Sequence, residues 1–124
     1  MQNLKILIVD DEEITRMLIA EILRGNGFEV TEAENGEEAL ECLEKESPKI
    51  IFLDSHMPVM GGFEVADFLN KNNYTFPIVI MSADNGDEFK QQLKKHDIKY
   101  CLNKPFKFNE MLDLVKHIIE DTEF

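Results

Sequence analysis

A chain of 124 residues, 44% hydrophobic and 31% charged, has the length of one ordinary domain and enough apolar content to bury a core, which excludes a disordered chain. Twenty-five acidic residues against 13 Lys and Arg leave a net charge of −12, so the chain repels phosphate backbones and direct nucleic-acid binding is not expected. No apolar run approaches the ~20 residues of a membrane span, and residues 4–9 are too short for a signal sequence, so a cytoplasmic protein with no membrane partner is expected.

The apolar run Leu4–Val9 reads as a strand buried on both faces of a parallel sheet. Helical spacing follows at Ile14, Met17, Leu18 and Ile22 and stops at the breaker Gly25-Asn26-Gly27. Phe28–Thr31 is a short second strand. Asn35-Gly36 opens a second helix, with Glu38 placed as in a capping box and Ala39, Leu40 and Leu43 inward, and Ser47-Pro48 stops it. Ile50–Leu53 is the third strand. A loop with Met57-Pro58 and Gly61-Gly62 leads into a helix carrying Val65, Ala66 and Leu69, which ends in Asn70–Asn73. Pro77–Met81 is the fourth strand, Asp87–Lys95 a polar helix, Ile98–Leu102 the fifth strand, and a last helix runs from about Lys107 with Met111, Leu114, Val115 and Ile118 at helical spacing.

Strand–helix alternation with short connections predicts an α/β fold, a doubly wound five-stranded parallel sheet of order 2-1-3-4-5 with helices on both faces. Ligands of such sheets bind outside the carboxyl ends of the strands, at the switch between strands 1 and 3. No repeat, linker or low-complexity tract interrupts residues 1–124, so one domain is expected, with no output domain after the fifth helix. Charge is uneven along it. Residues 10–46 hold 13 acids and three bases, whereas residues 90–116 hold seven of the 13 basic residues, which reads as solvated helix faces, as a cation-binding acidic end with a mixed face for a partner, or as both. Cys42 and Cys101 lack metal or disulfide-framework spacing, and two reduced, mostly buried thiols are expected.

The predicted strand ends carry chemistry. Strand 1 stops at Asp10-Asp11 and strand 3 at Asp54, and in the predicted order these strands are neighbours. Three carboxylates in one crevice repel one another, raise each other's pKa and suit a hard cation such as Mg²⁺, although Asp10 and Asp11 also fit a simple helix cap. Strand 4 ends at Ser82, a hydroxyl able to bond a phosphoryl oxygen, and strand 5 at Lys104-Pro105, an ammonium in the same crevice. Singly these are weak signals, since a strand-end Ser is usually a cap and a strand-end Lys usually solvated. Their joint placement is the specific one.

With Asp10-Asp11, Asp54 followed by Met57-Pro58 and Gly61-Gly62, Ser82-Ala83 and Lys104-Pro105-Phe106, the chain resembles, over its whole length, the flavodoxin-like receiver domain of two-component response regulators. The stretch LDSHMPVMGGFEV is similar to receivers of hybrid histidine kinases and their relays. The resemblance implies a phosphoacceptor in a phosphorelay, not a conventional enzyme, in which Asp54 takes a phosphoryl group from a phosphohistidine and then loses it. It implies Mg²⁺ held by Asp11 and Asp54, by Asp10 through water and by the backbone carbonyl of His56, with Ser82 and Lys104 binding phosphoryl oxygens. The implied partner is a histidine kinase or histidine phosphotransfer protein, which the helix face around Ile14, Met17 and Leu18 would meet. The implied state is a monomer or a phosphorylation-dependent dimer.

One position departs from that pattern. Where many receivers carry an aromatic residue three positions before the lysine, this chain has Cys101, and its aromatic is Tyr100, which strand alternation turns to the opposite face. His56 and Asp84, two residues past Asp54 and Ser82, read either as ordinary loop polarity or as flanks of the path of attacking water. His96 and His117 read as surface. A dehalogenase-like phosphatase is disfavoured, because it needs an acid where His56 stands. A cofactor binder is disfavoured because Asp10-Asp11-Glu12-Glu13 repels phosphate. A silent interaction module of the same fold is the remaining rival.

Overall fold

The computed structural model describes residues 4–122 and Phe124. Its elements follow the two periodicities of the sequence: β1 (Lys5–Val9), α1 (Glu13–Gly25), β2 (Glu29–Ala33), α2 (Gly36–Glu46), β3 (Ile50–Asp54), α3 (Gly62–Lys71), β4 (Ile78–Ser82), α4 (Asp87–Lys95), β5 (Tyr100–Asn103) and α5 (Phe108–Asp121). The strands form one parallel sheet of order β2-β1-β3-β4-β5. No helix among the described residues is long and apolar enough to cross a membrane.

Strand alternation sorts the core into two layers. Ile6, Ile8, Phe52 and Met81 pack with Ile19 and Leu23 of α1 and Met111, Val115 and Ile118 of α5. Leu7, Val9, Leu53 and Ile80 pack with Ala39 and Leu43 of α2, Val65, Ala66 and Leu69 of α3 and Phe89 of α4. Every residue of β3 is buried, which explains its unbroken apolar run. Helix α4 is the exception among the helices, because Phe89 is its one buried residue.

Local rules set the ends. Asn35 caps α2 through its Oδ1, which accepts from the Glu38 N–H at 2.9 Å. The return bond of the capping box shifts by one residue, since Glu38 Oε1 accepts from the N–H of Glu34 rather than of Asn35. Ser47 stops α2 in the left-handed region, at φ 48°. The fifth strand starts later than its apolar pattern predicts. Asp97 adopts φ 57° and the Ile98 N–H returns to the Leu93 carbonyl at 2.8 Å, so Ile98 completes the end of α4 and packs on the α3–α4 side.

Of two expectations about side chains in β5, one changes and one holds. Cys101 is exposed, not buried, because β5 is an edge strand and α4 covers little of it; both cysteines are free. Tyr100 faces the α5 layer, as alternation requires, with its ring 6.3 Å from that of His117.

The strand ends are tied together beyond the last ladder residues. Asp10 donates its N–H to Ala33 O at 3.1 Å, Ser55 to Met81 O at 2.9 Å, and Lys104 to Ser82 O at 2.8 Å. Beneath this rim, α3 starts against the end of β3 with almost no clearance. A Cβ on Gly62 would lie 2.5 Å from the Asp54 carbonyl oxygen, and one on Gly61 would lie 2.8 Å from that of Ser55. Gly62→Ala is therefore expected to lower stability by about 1–3 kcal/mol in urea unfolding, from overpacking against backbone that cannot yield. Wild-type stability in that variant would show that the approach is not tight.

Candidate phosphoacceptor site

Three acids gather at the carboxyl ends of β1 and β3. One carboxylate oxygen from each of Asp10, Asp11 and Asp54 lies within 4.8 Å of the others. Their surroundings separate them. Asp10 is fully buried, and both of its oxygens are engaged: Oδ1 accepts from the Glu12 N–H at 2.9 Å and Oδ2 from Lys104 Nζ at 2.9 Å. Asp11 is exposed. Asp54 is buried, and the Lys104 ammonium stands 3.4 Å from its Oδ1.

The charges do not balance, with three carboxylates facing a single ammonium. Burial, and then the charge of Asp10, push the Asp54 carboxyl up from the usual carboxylate range to about 6, although Lys104 works against the rise. Burial works to lower the Lys104 ammonium, but its hydrogen bond to Asp10 and the charges of Asp10 and Asp54 outweigh it and raise its pKa. Hard oxygen donors carrying surplus negative charge form the donor set that a divalent cation such as Mg²⁺ takes, so the residues present fit one.

Ser82 is buried at the end of β4, and its Oγ accepts from the Asp84 N–H at 3.0 Å. The hydroxyl thus holds its own loop in a turn and keeps its proton free to donate elsewhere. Across the mouth of the crevice, His56 Nε2 and Asp84 Oδ2 lie 2.9 Å apart, linking the loop after β3 to the loop after β4. Every site residue expected from sequence therefore lies at this one end of the sheet.

Other residues escape notice in the sequence. Arg16 on α1 donates from Nη1 to the Asp10 carbonyl at 2.8 Å and pairs with Glu32 at 3.3 Å, holding the turn after β1. Asn103 donates from Nδ2 to the Asp84 carbonyl at 2.9 Å, tying the β4–α4 loop to β5. Both bind backbone carbonyls, which no sequence pattern marks. Ser55 Oγ is buried without a hydrogen-bond partner beside the Asp54 backbone. Val59, whose side chain is fully exposed, sits at φ 70° while Met60 donates its N–H to the Pro58 carbonyl at 2.8 Å. That tight turn is strained for a β-branched residue, at an order of 1–3 kcal/mol.

Comparison with known proteins agrees with this geometry. The model of the response regulator receiver domain family matches residues 6–116. Sporulation initiation phosphotransferase F of Bacillus subtilis is 34% identical over 116 residues, which cover 94% of each chain. The sensor histidine kinase RcsC of Salmonella typhimurium is 32% identical over 94% of this chain, which there spans only 12% of the relative's length. The solved receiver domain of the Francisella response regulator 1452 superposes with a TM-score of 0.90 at 30% identity, covering 98% of this chain and all of that one.

The raised Asp54 carboxyl has a consequence for stability. The folded chain holds that proton more tightly than the unfolded chain, so the stability it contributes is present below the usual carboxylate range and lost as pH rises through about 6. Asp54→Asn removes the loss. In metal-free buffer the variant should be more stable than wild type at pH ~7.5 by about 1–2 kcal/mol and should match it near pH ~4, read as melting temperature against pH. A variant that tracks wild type at both pH values would contradict the charge account.

Proposed function

The chain belongs to the response regulator receiver family, and from that premise we propose that residues 1–124 act as one phosphoacceptor unit in which Asp54 takes the phosphoryl group. The observation that carries the reading is the meeting of three carboxylates with the Lys104 ammonium, 2.9 Å from Asp10 and 3.4 Å from Asp54.

A carboxylate attacks a charged phosphoryl group poorly, so most of the barrier is electrostatic and positional. Asp11 and Asp54, with the His56 carbonyl and with Asp10 acting through water, would hold Mg²⁺, which when bound supplies positive charge against the transferring phosphoryl oxygens. Asp54 is the acceptor among the three because Asp10 has both oxygens committed and Asp11 lies outside the buried pocket. An Asp54 oxygen attacks phosphorus, the bond from phosphorus to the donor imidazole nitrogen breaks, and its electron pair leaves with the imidazole, giving an acyl phosphate. Lys104 then turns from its carboxylates toward the new phosphoryl oxygens. Ser82 donates a hydrogen bond from its free hydroxyl to another of these oxygens, and the turn it holds through Asp84 moves with it. The His56–Asp84 pair guards the crevice against water and so lengthens the lifetime of the acyl phosphate.

The donor is a histidine kinase or a histidine phosphotransfer protein in the cytoplasm. Ile14, Met17 and Leu18 of α1 are exposed despite being large and apolar, and Leu18 borders a groove of about 360 Å³ with Pro105, Phe106 and Phe108 beside Lys104. That apolar margin next to the acceptor suits the helix of such a donor.

Intact mass after incubation with acetyl phosphate tests this reading. Wild type should gain one phosphoryl group with Mg²⁺ and none with EDTA, and Asp54→Ala should gain none. The adduct should decay measurably faster in His56→Ala. No gain by wild type in Mg²⁺ would favour a silent interaction module, and an unchanged half-life would show that His56 does not guard the acyl phosphate.

A further inference from the structure

Sequence alone assigns His96 to the surface, and the structure overturns that. His96 caps the C-terminus of α4, its side chain is 14% exposed, and it reaches across to α3. Its Nδ1 lies 2.6 Å from Asp67 Oδ1, its Nε2 lies 3.1 Å from Gln92 Oε1, and its ring stacks at a tilt on Phe63, with centroids 5.0 Å apart. Asn70 of α3 adds a weaker bond from Nδ2 to the His96 carbonyl, at 3.5 Å. Phe63 and Gln92 share a pocket with His56 and Asp84 of the crevice mouth, but the proposed phosphoryl transfer uses none of Phe63, Gln92, His96 and Asp67.

The geometry points to a proton-dependent clasp: protonated His96 pins the C-terminal end of α4 to α3 through Asp67, and loss of the proton loosens that helix. The neutral ring can satisfy both contacts, donating from Nδ1 to Asp67 while the Gln92 amide turns to donate to Nε2, but only the imidazolium makes the bond to the Asp67 carboxylate a charge-assisted one. The ring faces the Asp67 carboxylate and the Phe63 ring, and the His96 and Asp97 backbone N–H groups close the last turn of α4 on the Gln92 and Lys94 carbonyls. Lys94 and Lys95 in that turn and Asp97 after it are the charged groups of its own segment.

The clasp matters because α4 has so little else. Phe89 is its only buried residue, packed edge-on against Phe63 at 5.9 Å, the same ring that supports His96. Phe63 therefore touches both the buried Phe89 and the clasp, and release of the clasp leaves α4 to Phe89, the half-buried Leu93 and the weak Asn70 bond. Helix α4 also continues the loop that carries Ser82 and Asp84. On the reading of Asp54 as acceptor, the state of His96 sets how freely α4 answers that loop, which would make the response of this receiver depend on pH as well as on phosphorylation.

The test uses the unphosphorylated 124-residue chain, so its failure leaves the Asp54 reading untouched. The His96 ring nitrogens are followed by NMR between about pH 5 and 8, the window in which histidines change charge, together with hydrogen exchange of the α4 amides corrected for intrinsic chemistry. Protection of α4 should fall about tenfold along the His96 titration while the α1 amides of the core stay level. His96→Gln should remove the pH dependence and leave α4 at its high-pH level. Asp67→Asn, which keeps the ring in place, should do the same and serves if the first variant folds poorly. A His96 titration that α4 protection does not follow, or a pH dependence that survives in both variants, would overturn the clasp.

Discussion

The Lys104 ammonium is the fixed point of this molecule's chemistry. It is the one cation that touches both Asp10 and Asp54 among the described residues, at 2.9 and 3.4 Å, and its backbone N–H is bonded to the Ser82 carbonyl at the end of the neighbouring strand. A single positive charge facing three carboxylates leaves the crevice short of cation, which keeps the Asp54 carboxyl high and makes the pocket a place for a divalent ion. The same shortage separates three chemically equal acids. Asp10 spends both oxygens on holding Lys104 and the turn into α1, while Asp54 keeps a weaker contact that a phosphoryl group can displace.

The fold supplies this arrangement because four strands of one parallel sheet deliver their carboxyl ends side by side, and short backbone bonds continue the sheet past each end. Strand β3, buried along its whole length, carries Asp54, the proposed acceptor, and Gly62 lets α3 start against that residue's carbonyl. The other side is held more lightly. The β4–α4 loop rests on the Ser82 hydroxyl, the His56–Asp84 pair and the Asn103 bond, and the helix after it is the least buried of the five. A buried proposed acceptor beside a lightly held helix is a division of labour that a phosphoryl group, with its added charge and acceptor oxygens, is suited to exploit.

Much of this is legible in the amino-acid order. Apolar runs ending in Asp10-Asp11, Asp54, Ser82 and Lys104 name the strands and their chemistry together, because in a parallel sheet the end of a strand is also the place of the site. What stays hidden depends on contacts between distant segments. Nothing in the sequence pairs His96 with Asp67, 29 residues away, or sends the Arg16 guanidinium to a backbone carbonyl. Ile98 reads as a strand residue because its apolar side chain is needed at the end of α4, and Cys101 reads as buried because strand alternation does not tell an edge strand from a central one. Tyr100 is readable, since alternation alone puts it on the α5 side.

The proposed chemistry turns on Asp54 being the reacting carboxylate among three neighbours. Borohydride reduces an aspartyl phosphate to homoserine, so treatment of the acetyl-phosphate-labelled wild-type chain, followed by peptide mass mapping, locates the modified residue. Conversion at Asp54 alone, with Asp10 and Asp11 intact, is the expected result. Conversion at Asp10 or Asp11 would contradict it, because it would mean that the carboxylate bound by Lys104, or the one left exposed, is the nucleophile.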